Sequence, residues 1–284
     1  MAKIKFTADS TCDLSAELLS ALNLDIVRLY ISLGDKTYRD GEDIFPQDIM
    51  KHYEAAGVLP KTAAVSPDEF EKLFEKYQSF DAVIHFSISH KLSANYQNAK
   101  IAKEGFPNVF LVDSLSLSTG TSLLILEADS LRRQGKSAQE IVEHVEALKA
   151  RVQASFVVDT LEFLHKGGRC SSLAMIAGKI LRIHPMLLLK NGAITVHKKF
   201  RGKMNQVLDD YIDALYAEFP NPKRDFAFIT HCLCEEEEVE RVREKVQSLY
   251  GFEKLYVTHA GATVSSHCGK GTLGLLFIND KEIS

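Results

Sequence analysis

Apolar runs alternate with amphipathic stretches along the first half of the chain, which predicts strands and helices in turn. Residues 3–7 read as a first strand, and Leu14, Leu18, Leu19 and Leu22 then mark one helical face, with Asp13 suited to the helix start. Residues 25–32 alternate as a second strand, and residues 36–38 pair back across the Gly34-Asp35 turn as a hairpin that ends at Asp40-Gly41. Pro46 opens a helix to about Ala56, and Ser66-Pro67-Asp68-Glu69 combines a capping box with proline at the first helical position. Residues 81–88 are a strand, residues 94–103 a helix and residues 109–113 another strand. A helix follows through Arg133, and Ser137-Ala138-Gln139-Glu140, a second capping box, starts one reaching about Val152. Such alternation predicts a mainly parallel sheet flanked by helices.

The second half is patterned differently. Strand-like residues 156–158 lead to a helical turn at 161–164, then Lys166-Gly167-Gly168-Arg169 and a helix over 171–181. Residues 186–190 and 193–198 flank Asn191-Gly192, a strong hairpin signal. Helices over 204–219 and 235–249 alternate with strands over 226–230, 255–258 and 273–278. A hairpin within an αβ pattern predicts a mixed sheet. The expected fold class is therefore α/β with two αβ domains, residues 1–152 and 153–284.

Candidate chemistry gathers where strands end. In parallel sheets ligands bind beyond the carboxyl ends of the strands, and Asp9-Ser10, residues 89–93 and Asp113-Ser114 all stand there. Ser93 falls where a strand-following loop becomes a helix. At that N-cap position the hydroxyl either caps its own helix or, with free N–H groups and the positive end of the helix dipole, holds an anion. Arg169 follows two glycines and offers a planar fork for a carboxylate or phosphate, or a surface ion pair. His267 lies in a polar, glycine-flanked loop, unlike His85 inside a strand. Thr62 is a loop hydroxyl ahead of a capped helix. Asp9 follows a strand as in aspartyl-phosphate enzymes. However, Thr11 stands where a second acid is usual, so Asp9 and Asp13 read as loop ties and caps.

Composition narrows the classes. With 284 residues, 45% hydrophobic, 25% charged and a net charge of −4, the chain is of ordinary globular make-up and asks for neither nucleic acid nor an anionic membrane. The start lacks a signal-peptide pattern and no apolar run reaches bilayer length, so a cytosolic protein without stable membrane insertion is expected. Five cysteines, with one Cys-x-Cys at Cys232 and Cys234 but no second pair at zinc-site spacing, point to reduced thiols rather than a metal site. Gly269-Lys-Gly271-Thr-Leu-Gly274 matches G-x-G-x-x-G, but an apolar strand follows it, so no dinucleotide cofactor is expected.

Several stretches together resemble the DegV family of fatty-acid-binding proteins. They are Asp9-Ser-Thr-Cys-Asp-Leu14, Tyr38-Arg-Asp-Gly41, Thr62 with Ser66-Pro67, Leu92-Ser93 with Tyr96-Gln97, and Val112-Asp113-Ser114 with Ser118 and Gly120. Further on come Leu164-His-Lys-Gly-Gly-Arg169, Asn191-Gly192 with Arg201, and His267 with Gly269, Gly271 and Gly274. The resemblance spans nearly the whole chain, in the family's order. It implies two αβ domains with a long-chain fatty acid between them. It also implies a carboxylate held by Thr62 and Ser93, with His267 and Arg169 close by. Some members present the acid to a separate ATP-dependent fatty acid kinase, which would make this chain a non-catalytic carrier. The chain departs from the family at Ala94 and Asn95, where Gly-Thr is usual, and at Ala63, Ala64 and Val65. An apolar tunnel is needed for the tail, and Leu173, Met175, Ile176 and Ile180 could line it or simply form core. The alternatives are a phosphotransferase or hydrolase acting from Asp9, and a lipid-sensing domain with no transfer role.

Overall fold

The computed structural model describes residues 2–169 and 183–283. The helix expected over 171–181, with Leu173, Met175, Ile176 and Ile180, and Cys170 lie outside the described residues. The first half runs β1 (Ile4–Asp9), α1 (Ala16–Leu22), β2 (Leu24–Val27), β3 (Tyr30–Leu33), β4 (Lys36–Arg39), α2 (Pro46–Ala56) and β5 (Lys61–Ala63). It continues through α3 (Pro67–Lys76), β6 (Ala82–Ser87), α4 (Asn95–Ala102), β7 (Val109–Asp113), α5 (Thr119–Arg133) and α6 (Ala138–Leu148). The second half runs β8 (Val152–Val157), α7 (Glu162–Lys166), β9 (Ile183–Lys190), β10 (Ala193–Arg201), α8 (Met204–Glu218) and β11 (Pro222–Cys232). It closes with α9 (Glu236–Tyr250), β12 (Leu255–His259), α10 (Ala262–Cys268) and β13 (Thr272–Asn279).

These elements make two αβ domains. The first carries a four-stranded sheet of order β2-β1-β6-β7, parallel throughout. Every residue of β1 and β6 is buried, including the polar Lys5, Thr7, Asp9, His85 and Ser87, as befits strands covered on both faces. The second carries a six-stranded mixed sheet of order β10-β9-β8-β13-β11-β12, in which β11 and β12 alone pair in parallel. A small antiparallel sheet, β4-β3-β5, stands apart from both.

Helix α5 joins the domains. It is buried along nearly its whole length, and its first turn is small and polar, which lets backbones approach. Thr119 Oγ1 lies 2.6 Å from Thr230 Oγ1 of β11, and Ser122 Oγ donates to the Cys12 carbonyl at 2.6 Å. One apolar core therefore runs from Phe6 and Phe86, edge to face at 5.7 Å, through Leu123 and Leu124 to Phe156, Phe228 and Leu276. A second core fills the other face of the six-stranded sheet beneath α8 and α9. The hairpin tip is pinned across the domains: Ser89 Oγ donates to the Gly192 carbonyl at 2.7 Å.

Four local expectations need correction. Residues 25–32 are two strands, because the chain leaves the parallel sheet at Arg28: Arg28 Nη1 donates to the Asp40 carbonyl, and Ser10 Oγ takes the Leu29 amide. Thr62 lies in strand β5, paired with Ile31, rather than in a loop. Ser15, not Asp13, caps α1. His267 sits in the last turn of α10 rather than in a loop.

A cavity between the domains with one charged wall

All four residues singled out as candidates, Thr62, Ser93, Arg169 and His267, line one cavity of about 280 Å³ between the domains. Its polar end is assembled from separate elements. Strand β5 brings Thr62, the loop after β6 brings Ser93, the turn after α7 brings Arg169, and α10 brings His267. Apart from Thr263, the rest of the described wall is apolar or small, with Leu29, Ile88, Leu92, Leu117, Leu164 and Ile194 prominent. Arg169 is the one charged residue among the described lining, and no carboxylate faces the space.

Hydrogen bonds fix the polar end. His267 Nε2 and Thr62 Oγ1 are 2.9 Å apart. Burial first, and then the neighbouring Arg169 charge, hold the His267 imidazole down at about 4, so it is neutral at pH 7. Its Nδ1 is buried without a partner, because the ring lies against bare Gly167. A Cβ on Gly167 would come within 2.3 Å of that nitrogen, which explains one glycine of the Gly-Gly-Arg stretch. Arg169 Nη1 donates to the Gly167 carbonyl at 2.7 Å and its Nε to the Leu92 carbonyl at 3.3 Å, placing the guanidinium beside Ser93.

Ser93 is not the formal N-cap, since α4 begins at Asn95 behind Ala94. Its oxygen nevertheless accepts from the Asn95 amide at 3.2 Å, which leaves its O–H free to donate.

Sequence reasoning missed the residue that ties these pieces together. Asn95 is fully buried. Its Oδ1 accepts from the Val65 amide at 3.0 Å and its Nδ2 donates to Asp9 Oδ2 at 2.9 Å. Asn98 Nδ2 holds the Val65 carbonyl at 2.7 Å. The segment after Thr62 is thus clamped to the helix that follows Ser93. No local signal marks an asparagine in a first helical turn as such a hub, because its partners lie 30 and 86 residues away.

Asp9 is part of the same scaffold. It also accepts from Thr11, from Ser87 Oγ and from the Ile88 amide at 2.8 Å, and burial pushes its carboxyl up. A carboxylate so enclosed by donors, only 1% exposed, is a tie between β1, β6 and α4.

The space does not end at the polar cluster. Leu117, Val264 and Cys268 also line a smaller hollow of about 30 Å³, walled by Ala154, Phe156, Leu189 and Leu276 of the joint core. Among the described residues no group of three or more His, Cys, Asp or Glu is placed to hold a metal ion. Cys12, Cys232, Cys234 and Cys268 are free, with burial pushing their thiols up. No helix among the described residues is long and apolar enough to cross a membrane.

Fold and cavity together define a two-domain αβ protein with a largely apolar cavity at the domain junction, whose described lining carries one cation, Arg169. A family profile described as "Uncharacterised protein, DegV family" matches residues 3–280, and the chain belongs to the DegV family. It is 30% identical over 282 residues to a DegV domain-containing protein of Caldanaerobacter subterraneus subsp. tengcongensis, covering 98% of this chain and 99% of the relative. Among solved structures, a DegV family protein from Thermus thermophilus, described for its fatty acid binding, superposes with a TM-score of 0.91. It is 32% identical, with 98% of this chain and 100% of that one covered. DegV of Bacillus subtilis, described as a fatty acid binding protein, has a TM-score of 0.85 at 25% identity, covering 99% and 100%. A stearic acid-binding protein from Eubacterium ventriosum has a TM-score of 0.84 at 27% identity, covering 98% of each chain.

Proposed function

We propose that this chain binds one long-chain fatty acid, with the acyl tail in the interdomain cavity and the carboxylate at Thr62 and Ser93, beside His267 and Arg169. The observation that carries this reading is a largely apolar cavity where Thr62, His267 and the Arg169 cation come together, with no carboxylate among the described lining. The fatty acid binding described for similar DegV proteins supports it.

The energetics fit an amphiphile. Burial of tail is worth roughly 0.8 kcal/mol per methylene. A carboxylate sunk into protein needs donors and a countercharge. The neutral His267 supplies the rest of the argument. An orphaned buried N–H is rarer than an orphaned acceptor, so the unpartnered Nδ1 is assigned as the bare nitrogen and Nε2 carries the proton. Nε2–H then donates to Thr62 Oγ1, and the Thr62 O–H is left to donate to the ligand. Ser93 has the same freedom, since its oxygen already accepts from Asn95.

In this reading the protein is a cytoplasmic carrier of two domains that meet near Gln153. It presents the carboxylate to a separate fatty acid kinase for acyl-phosphate formation, as the family resemblance implies. Native mass spectrometry of freshly purified protein, with lipid extraction, tests the binding: one fatty acid per chain is expected. An empty spectrum with no uptake of added stearate would overturn it. Formation of acyl-phosphate from ATP and loaded protein with a fatty acid kinase tests the hand-over, and failure with a kinase active on a related carrier would leave a binding role without transfer.

A further inference from the structure

The Asp-Ser-Thr-Cys-Asp and Tyr-Arg-Asp-Gly stretches carry acids, Asp13 and Asp40, that do not line the cavity. Both are buried, and both reach across to the other domain. The Gly261 amide donates to Asp13 Oδ1 at 2.8 Å, and the Ala262 amide donates to Asp40 Oδ1 at 2.9 Å. Those amides belong to the N-cap and first residue of α10, groups that no bond within the helix can satisfy. The two acids close so tightly on the helix start that a Cβ on Gly261 would stand 3.0 Å from Asp13 Oδ1 and 3.3 Å from Asp40 Oδ1. Each acid is itself held, Asp13 by Ser118 Oγ and Asp40 by Ser10 Oγ at 2.9 Å.

Helix α10 has seven residues, too few to persist by its own hydrogen bonds. Its last turn carries His267, bonded to Thr62 of the first domain. The helix is thus tied at both ends to the first domain while belonging to the second. We propose that Asp13 and Asp40 are positioning residues that act through α10 to set where His267 stands in the head-group site. The claim rests on the reading of the cavity as a fatty acid site. Its physical logic is that two carboxyl groups buried side by side are costly to keep ionised, and burial pushes both up. A pair retained at that cost has a positional use, because a carboxylate at a helix start fixes both the helix's origin and its direction.

The test uses the full chain carrying Asp40→Ala, Asp40→Asn or Ser10→Ala. Two readouts are taken: the His267 imidazole nitrogen signals without ligand, assigned through His267→Gln, and the affinity for stearate. Asp40→Ala is expected to move the His267 signals and to weaken stearate binding by about ten-fold, the effect of a lost cap. Asp40→Asn, whose Oδ1 can still accept from Ala262, is expected to keep both close to the parent. Unmoved signals and unchanged affinity in Asp40→Ala, or an Asn variant as damaged as the Ala one, would overturn the proposal. If Asp40→Ala does not fold, Ser10→Ala, which frees one Asp40 oxygen, is expected to give a smaller shift of the same signals. No shift there would overturn it equally. Failure of the parent protein to bind stearate would instead count against the fatty acid reading, and the ligand-free His267 signals would still decide the positional claim.

Discussion

Replacing Thr62 by valine keeps the shape of the side chain and removes one hydroxyl, which has two tasks in the proposed reading. Without ligand, Thr62 Oγ1 is the partner of His267 Nε2 at 2.9 Å, and the ring's other nitrogen is already buried without one. Thr62→Val therefore strips the imidazole of its last hydrogen bond, at a cost of roughly 1–3 kcal/mol for a buried polar atom left unsatisfied. With ligand, the same hydroxyl donates to a carboxylate, and a hydrogen bond to a charged group is worth about 1.5–3 kcal/mol. That converts to an affinity about 10- to 100-fold weaker. Titration calorimetry with stearate, alongside thermal unfolding of the ligand-free protein, measures both terms. Thr62→Ser, which restores the hydroxyl, should recover most of each. Stearate affinity in Thr62→Val within about two-fold of the parent would refute the reasoning, since it would mean that no charged group meets this hydroxyl.

Three further outcomes follow from the same geometry. Asn95→Ala should weaken stearate binding and lower the melting temperature together, because it leaves the Val65 amide without its partner and takes one of three donors from Asp9 Oδ2; a variant equal to the parent in both would contradict the role of Asn95 as a clamp. Loading with fatty acid should raise the His267 pKa above its ligand-free value of about 4, because an anion beside the ring favours the imidazolium; an NMR titration that finds it unchanged would place the head group elsewhere. For Asp25, burial pushes the carboxyl up, but hydrogen bonds from Lys5, Lys76 and Tyr77 outweigh it and hold it down at about 2. Its folded value lies below the unfolded one, so its stabilisation is present above the ordinary carboxylate range and is lost as the pH falls toward about 2. Urea unfolding should show a shallower acid loss in Asp25→Asn than in the parent, and parallel curves would count against the assignment.

What could be read from the sequence was local. The capping boxes at Ser66 and Ser137 form as written, with the serine oxygen accepting from the amide of the glutamate three residues on. Asn191 and Gly192 take the positive φ values, 50° and 81°, that a tight hairpin demands. The burial of β6 was legible in its largely apolar run over 82–86, whereas that of β1, with Lys5, Thr7 and Asp9 on it, was not. What escaped was set at a distance. Strand β5 is three residues long and exists because Thr62 pairs with Ile31. Helix α10, rich in serine and β-branched residues, has weak propensity and is held by two acids more than two hundred positions away. Its absence from the sequence reading put His267 in a loop. Asp13 looked like a cap for the helix just after it and instead meets one at the far end of the chain. The four candidate residues were found through the resemblance and through strand ends; Asp13 and Asp40 stood in the same resembling stretches, but nothing local showed that they meet α10, and Asn95 carries no pattern of its own.

The central claim is that a fatty acid carboxylate meets Thr62 and Ser93 inside the protein, and stearate labelled with carbon-13 at the carboxyl tests it most directly. The bound carboxyl signal should be that of an ionised acid well below the pH at which the free acid takes up its proton, held there by Arg169 and the two hydroxyls. It should shift in Thr62→Val and in Ser93→Ala. A bound signal that titrates as it does in water and ignores both substitutions would put the head group in solvent and contradict the account.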